Sequence, residues 1–262
     1  MIAIVGAGAM GEVFVAGLLR TVVEPGRLVI SEKRVERAEE VSERYGVRAV
    51  TVAEAARECA TLLLLVKPQD VVSVVEEMAP HLVDGVVVIS LAAGVRLHAI
   101  ESRLPHASVV RAMPNTPALV DLGITAISPG VSCSDEQAAY VESLLSAVGP
   151  VVRVPEDLQD AVTATSGSGP AYVFRLIEAM TEGAEGLGIP HDIAHALVIQ
   201  TVLGAATMAA RPGAEAATLR QQVTSPGGTT AAALSVLEQG GWAALMERAM
   251  TAARDRGREL GA

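Results

Sequence analysis

The chain has 262 residues, half of them apolar and 19% charged, enough for roughly two domains at about 150 residues each. Its 20 basic residues against 30 acidic ones leave a net charge of −10, which argues against a nucleic-acid backbone as the main partner. No unbroken apolar run approaches the ~20 residues that span a bilayer, and Met1 leads straight into an apolar run without a basic leader, so the expectation is a cytoplasmic chain with no membrane partner.

Over the first half, short β-rich runs alternate with helical patterns, which predicts βαβ units and a parallel sheet. Strands are expected at 2–5, 28–31, 48–50, 61–66, 86–90, 108–112, 124–128 and 151–154. Several are continuous apolar runs, such as Leu62-Leu63-Leu64-Leu65-Val66, as strands covered on both faces require. Thr51-x-x-Glu54 and Ser134-x-x-Gln137 are capping boxes that start helices. Residues 1–156 are therefore read as a doubly wound α/β domain. After Pro155 the strand pattern stops, and residues 157–262 are Ala-rich with apolar residues at helical spacing, which predicts an all-helical second domain. Ser166-Gly167-Ser168-Gly169-Pro170 opens one helix, Gly188-Ile189-Pro190 separates two, and Ser225-Pro226-Gly227-Gly228 precedes another. Ala179, Gly183, Ala184 and Gly186 recur inside the helix after Pro170, where small side chains permit close approach of a second helix, from the same chain or another.

Gly6-Ala7-Gly8-Ala9-Met10-Gly11 follows the first strand and leads into an apolar-periodic helix, the context that a G-x-G-x-x-G dinucleotide fingerprint requires. The first Gly serves the tight turn, the second the approach of a pyrophosphate, and the third the packing of helix on sheet. The second strand ends about 20 residues on, at Ser31-Glu32-Lys33-Arg34, where NAD and NADP are told apart. Ser31 stands where a ribose-binding carboxylate usually lies, with Lys33 and Arg34 beyond it, a pattern that favours a 2′-phosphate; Glu32 is the dissenting residue. Val66-Lys67-Pro68-Gln69 and Ser90-Leu91-Ala92-Ala93-Gly94 fall at two further strand ends, where such folds bind their ligands.

In the second half, Thr224-Ser225-Pro226-Gly227-Gly228-Thr229-Thr230 suggests an anion cradle. Ser225 is expected to cap a helix, Pro226 to occupy its first turn, and Gly227 and Gly228 to expose N–H groups to a carboxylate, with Thr229 and Thr230 beside them. A helix N-terminus with a good cap reads the same way from spacing alone. His191 and His195, four apart, have no evident third ligand, so no metal site is expected. Cys59 and Cys133 form no metal or redox motif, and no Ser/His/Asp set is visible. Among the 20 basic residues only Lys33 and Lys67 are lysines, which leaves few candidates for a lysine acid or Schiff base.

Three segments, with the Gly-rich start, carry a resemblance: Val110-Arg111-Ala112-Met113-Pro114-Asn115-Thr116-Pro117-Ala118, Ser166-Gly167-Ser168-Gly169-Pro170-Ala171-Tyr172 and Val223-Thr224-Ser225-Pro226-Gly227-Gly228-Thr229-Thr230. Together they resemble pyrroline-5-carboxylate reductases, the last enzymes of proline biosynthesis, over nearly the whole chain. The resemblance implies a Rossmann-type sheet domain, a helical C-terminal dimerisation domain, dimers that often assemble into decamers, and NADPH as reductant with NADH the alternative. It implies pyrophosphate at residues 6–11, the adenosine phosphate near Ser31, Lys33 and Arg34, and nicotinamide and ribose contacts at Val66, Lys67, Pro68, Ala92, Ala93 and Asn115. The substrate carboxylate is implied at Ser225, Gly227, Gly228 and Thr229, with Thr230 on the ring nitrogen and Glu156 nearby. Glu32 and Val52 depart from the family's pattern, in which many members carry Asn at both places.

The chemistry suits what the sequence lacks. Carbonyl reduction usually calls for a proton donor from Lys, His or Tyr, whereas a cyclic imine can arrive protonated and needs chiefly to be held in line with a hydride donor. Rival readings are a reductase of another cyclic imine, a hydroxyacid dehydrogenase, which would want a lysine after Lys67, and a dinucleotide sensor without catalysis, which would not need the 225–230 cradle.

Overall fold

The computed structural model of the chain describes residues 1–21 and 23–261. Eight strands form one sheet: β1 (Ile2–Val5), β2 (Leu28–Ser31), β3 (Arg48–Ala49), β4 (Thr61–Leu64), β5 (Val87–Ser90), β6 (Ser108–Met113), β7 (Thr125–Pro129) and β8 (Val151–Arg153). Their order is β3-β2-β1-β4-β5-β6-β7-β8. The helices between them are α1 (Ala9–Thr21), α2 (Val35–Tyr45), α3 (Val52–Glu58), α4 (Val71–Met78), α5 (Leu97–Glu101) and α6 (Asp135–Leu145). Both expected capping boxes are formed, Thr51 on Glu54 and Ser134 on Gln137.

Alternation along each strand builds two cores. Ile2 and Ile4 point to Phe14 and Leu18 of α1, Val41 of α2 and Leu144 of α6. Ala3 and Val5 point to the opposite face, with Ala55 of α3, Val75 and Met78 of α4 and Ile100 of α5. Helices on both faces leave no polar side for the central strands, so their sequences are apolar without alternation.

One pairing departs from the expected parallel sheet: β7 runs antiparallel to β6, with Arg111 opposite Ser128. The two strands are joined only by residues 114–124, which hold a 3-10 turn at Thr116–Val120. That is too short for a parallel crossover, which takes a dozen or more residues including a helix. The longer connection through α6 restores parallel pairing of β7 with β8.

After β8 come α7 (Gln159–Val162), a π-helical turn (Thr163–Gly167), then α8 (Gly169–Gly186), α9 (His191–Ala209), α10 (Ala216–Gln222), α11 (Thr229–Gln239) and α12 (Trp242–Leu260). The chain divides into two compact units, Met1–Ser168 with Ala253–Ala262 and Gly169–Ala252. The break in compactness thus lies beyond the 156/157 boundary read from the sequence. Residues of α7 belong to the sheet unit because Gln159 Nε2 bonds Ser128 Oγ at 2.9 Å and Asp160 pairs with Arg111 at 3.2 Å. The end of α12 joins the same unit, with Gly257 beside Asp160 and Gly261 against the Gly94 carbonyl.

The second unit is helical throughout, as expected, and has almost no interior of its own: Thr181, Ala194 and Val198 are its buried residues among those described. Phe174, Met180, Leu197, Leu203, Val236 and Trp242 are exposed on it. Helix α9 is also long and apolar enough, by length and composition, to cross a membrane, with a mean hydropathy of 1.3. That measure averages over a window, whereas the sequence expectation rests on unbroken apolar runs, all of which stop far short of a span. Isolated polar residues such as His195 and Gln200 interrupt a run but barely lower a window average.

Candidate active site

The strand order places a topological switch point between β1 and β4: β2 and β3 lie to one side of β1, and β4 and β5 to the other. Ligands of such sheets bind in the crevice at the carboxyl ends of these strands. The Gly-rich turn leaves β1 there. Gly6 has φ +100°, and a Cβ on it would meet the Leu65 backbone at 2.7 Å, so the turn passes too close to the β4 loop for any side chain. Its N–H donates to the Ser31 carbonyl at 2.7 Å. A Cβ on Gly11 would come to 2.1 Å from the Gly6 carbonyl oxygen, so the third glycine serves the seating of α1. Gly8 differs from both, since a Cβ there would meet nothing within 4 Å. Its lack of a side chain answers no demand of the chain itself and leaves a gap at the start of α1, where Ala9, Met10 and Gly11 present first-turn N–H groups without intrahelical partners. A pyrophosphate fits that gap chemically.

Charged side chains hold the turn from the β2–α2 side. Ala7 is buried, and its carbonyl accepts from Arg37 Nε at 2.9 Å. Arg37 also pairs with Glu12 and Glu40, and Glu12 takes Arg44 and the Tyr45 hydroxyl as well. Burial pushes the Glu12 carboxyl up, but the hydrogen bonds from Arg37, Tyr45 and Arg44 outweigh it and hold the group below the usual carboxylate range. Arg37 and Glu12 were not singled out from sequence, and no spacing rule marks them, because their partners arrive from different elements.

At the end of β2, Ser31 is buried while Lys33 and Arg34 are exposed. Lys33 Nζ lies 3.5 Å from Asp70 Oδ2. Glu32 is turned inward onto Arg34, whose Nε is 2.9 Å from its Oε1. At the β4 and β5 ends, Val66 is half-buried, Lys67, Pro68 and Ala93 are exposed and Ala92 is buried. The Ser90 hydroxyl, one residue before this second loop, is buried with no hydrogen-bond partner. Asn115 follows β6 and accepts the Ile124 N–H on Oδ1 at 3.0 Å, which leaves its amide donors for another partner.

Glu156 has a structural commitment that the sequence did not reveal. Its Oε1 accepts the Leu97 N–H at 2.6 Å, at the start of α5, and lies 3.4 Å from Arg111 Nη1. Arg111, with its side chain 5% exposed, reaches Asp160 through Nη2, so one buried guanidinium ties β6 to the segment after β8.

In the helical unit, residues 225–228 form a β-turn closed by the Gly228 N–H on the Ser225 carbonyl at 3.1 Å. Gly227 has φ +71°, as the third position of a type II turn requires, with Pro226 before it. This corrects the expected cap: α11 starts at Thr229 and its N-cap is Gly228, so Ser225 and Pro226 precede the helix and do not belong to its first turn. Gly228 carries no capping side chain, so the first N–H groups of α11 have no side-chain cap, and Thr229 and Thr230 stand in that first turn. His191 and His195 stack with ring centroids 6.1 Å apart, and His191 Nδ1 contacts Glu185 at 2.5 Å. No group of three potential metal ligands occurs among the described residues.

Residues 156–260 match the model of the pyrroline-5-carboxylate reductase dimerisation family, and residues 1–94 match that of the coenzyme F420-dependent NADP oxidoreductases. Pyrroline-5-carboxylate reductases of Mycobacterium tuberculosis and Synechocystis are 38% and 41% identical to the chain, covering 99% and 98% of it and 96% and 97% of their own lengths. A solved pyrroline-5-carboxylate reductase from Coxiella burnetii superimposes with a TM-score of 0.94 at 39% identity, over 100% of this chain and 98% of that one. A Plasmodium falciparum pyrroline carboxylate reductase solved with NADP bound gives 0.86 at 26% identity, over the same shares.

Proposed function

We propose that this chain, which belongs to the pyrroline-5-carboxylate reductase family and reduces L-1-pyrroline-5-carboxylate to L-proline with NADPH, does so by holding the dinucleotide on its 6–11 turn and the substrate carboxylate on its 225–230 turn. The observation that carries the reaction is identity of 38–41% to these reductases over 98–99% of the chain. NADPH, when bound, supplies the hydride that reduces the C=N carbon. The protein's part is to bind, orient and exclude water.

The pyrophosphate reading of Gly6, Ala7, Gly8, Ala9, Met10 and Gly11 is supported by the gap at Gly8. Ser31, Lys33 and Arg34 take the adenosine phosphate, and Val66, Lys67, Pro68, Ala92, Ala93 and Asn115 surround the nicotinamide and its ribose. Ser225, Gly227, Gly228 and Thr229 receive the substrate carboxylate on backbone N–H and hydroxyl groups, where a helix N-terminus favours negative charge. Thr230 Oγ1 accepts the N–H of the protonated imine, which keeps its proton as hydride arrives at carbon and leaves as the neutral ring amine. Glu156 acts through the α5 and Arg111 contacts described above and completes the substrate side.

Residues 1–156 serve the dinucleotide, and residues 157–262 serve substrate and self-association, the second function resting on a helical unit with almost no buried interior. A second copy covers Phe174, Leu203 and their neighbours, and such dimers assemble further into a decamer in the cytoplasm. The test is the rate of nicotinamide oxidation by the purified protein with L-1-pyrroline-5-carboxylate, using NADPH and NADH in parallel. Faster turnover with NADPH is expected. Binding of the dinucleotide without turnover on this imine would move the assignment to another cyclic imine or to a sensor.

A further inference from the structure

We propose that Glu32 sets the preference for the 2′-phosphorylated dinucleotide by holding Arg34 in place, and that it is not a ribose ligand. The proposal rests on the reading of Arg34 as a 2′-phosphate contact. A carboxylate at the end of the second strand ordinarily accepts hydrogen bonds from the ribose hydroxyls and selects the unphosphorylated cofactor. Glu32 is one residue past that position, and its side chain is only 7% exposed. Its Oε1 accepts the Arg34 backbone N–H at 3.2 Å and Arg34 Nε at 2.9 Å. A carboxylate has about four acceptor sites, two on each oxygen, so Oε1 is fully engaged inside the protein. With Oε1 filled and the side chain nearly covered, little of the carboxylate is left for ribose hydroxyls.

The same contacts prepare Arg34. Three cations lie within this short segment. Arg37 is committed to Ala7, Glu12 and Glu40, and Lys33 is an exposed point charge beside Asp70. Arg34 is bound to Glu32 through Nε, which leaves the two terminal nitrogens of an exposed guanidinium for a planar, two-pronged contact with phosphate oxygens. Fixing the side chain at Nε removes rotamer freedom before the phosphate arrives, so less is lost on binding. The carboxylate therefore favours the phosphorylated cofactor even though its charge has the sign of the phosphate.

The test is a double-mutant cycle of Glu32→Ala, Arg34→Ala and the pair, titrated calorimetrically with NADP+, NAD+ and 2′,5′-ADP. The ratio of the Kd for NAD+ to that for NADP+ isolates the 2′-phosphate, because damage to the Ala7 turn weakens both dinucleotides and cancels. NAD+ binding also reports that each variant is folded. The expected result is a roughly tenfold fall in the ratio for Glu32→Ala, the scale of one charge-assisted hydrogen bond, with 2′,5′-ADP weakened alike. Arg34→Ala should lower the ratio at least as far, and the pair no further than Arg34→Ala alone. A ratio that Glu32→Ala leaves unchanged or raises, while Arg34→Ala lowers it, overturns the proposal and keeps the phosphate reading. A ratio that Arg34→Ala leaves unchanged overturns the phosphate reading, and the proposal with it.

Discussion

Gly8 and Gly11 belong to one motif but answer different demands, and exchanging each for Ala separates them. A methyl group on Gly11 would sit 2.1 Å from the Gly6 carbonyl oxygen, so α1 or the turn must move. Overpacking of this kind costs about 1–3 kcal/mol. At roughly 2–4 °C per kcal/mol for a chain of this size, the melting temperature of Gly11→Ala should fall by about 2–12 °C. A methyl group on Gly8 would meet nothing within 4 Å, so Gly8→Ala should melt at or slightly above the wild-type temperature. It would, however, stand in the gap assigned to the pyrophosphate. Losing one charge-assisted hydrogen bond there, worth about 1.5–3 kcal/mol, raises the Kd of NADP+ by about 10- to 150-fold. Differential scanning fluorimetry without ligand and calorimetric titration with NADP+ read the two effects separately. Wild-type affinity in Gly8→Ala, or a large loss of its ligand-free stability, would refute the division of roles.

Thr230→Val should lower kcat at least tenfold while the Kd of NADP+ stays within twofold, since only the bond to the imine N–H is removed; unchanged turnover takes Thr230 out of the mechanism. Arg111→Ala strips a buried guanidinium from Asp160 and Glu156 and should destabilise by about 3 kcal/mol, seen as a lower denaturant midpoint. Because the Glu12 carboxyl lies below its ordinary 4.5 when folded, its contribution to stability is complete above that pH and fades as acid protonates first the unfolded and then the folded chain. Glu12→Gln should therefore flatten the fall in stability below pH 4.5, measured by denaturation at a series of pH values. Phe174→Glu places a charge on an exposed apolar face of the helical unit and should shift the protein toward monomer in light scattering; an unchanged assembly would remove that face from the interface.

Local chemistry was enough to read much of this molecule. The two capping boxes, the strand runs and the Gly-rich turn after β1 are decided by neighbours in sequence, and each stands where its residues imply. The three glycines of the turn were legible as a motif, but the structure was needed to tell which of them faces a backbone and which faces open space. The antiparallel pairing of β7 was hidden for a related reason, since an apolar run reads the same in either direction and only the shortness of residues 114–124 constrains it. The cap of α11 was misplaced because Ser and Pro suit both the start of a helix and the turn before it.

Patterns of apolar, turn and capping residues determined by themselves that the chain folds as a sheet domain followed by helices, while the class of reaction came from the family resemblance that the three motif segments carry. Those signals depend on spacings of a few residues along the chain. Only the tertiary structure decided the partners of the charged groups. Glu32 turns from a ribose candidate into the holder of Arg34, Glu156 becomes a clamp on α5 and Arg111, and Arg37 reaches back to Ala7, because folding brings together charges that lie 2 and 45 residues apart, a carboxylate and a backbone N–H 59 apart, and a guanidinium and a carbonyl 30 apart. Only the Arg34 contact is local, and even there the sequence leaves the direction of the carboxylate open. In the fold it is nearly covered and held by both the backbone N–H and Nε of Arg34.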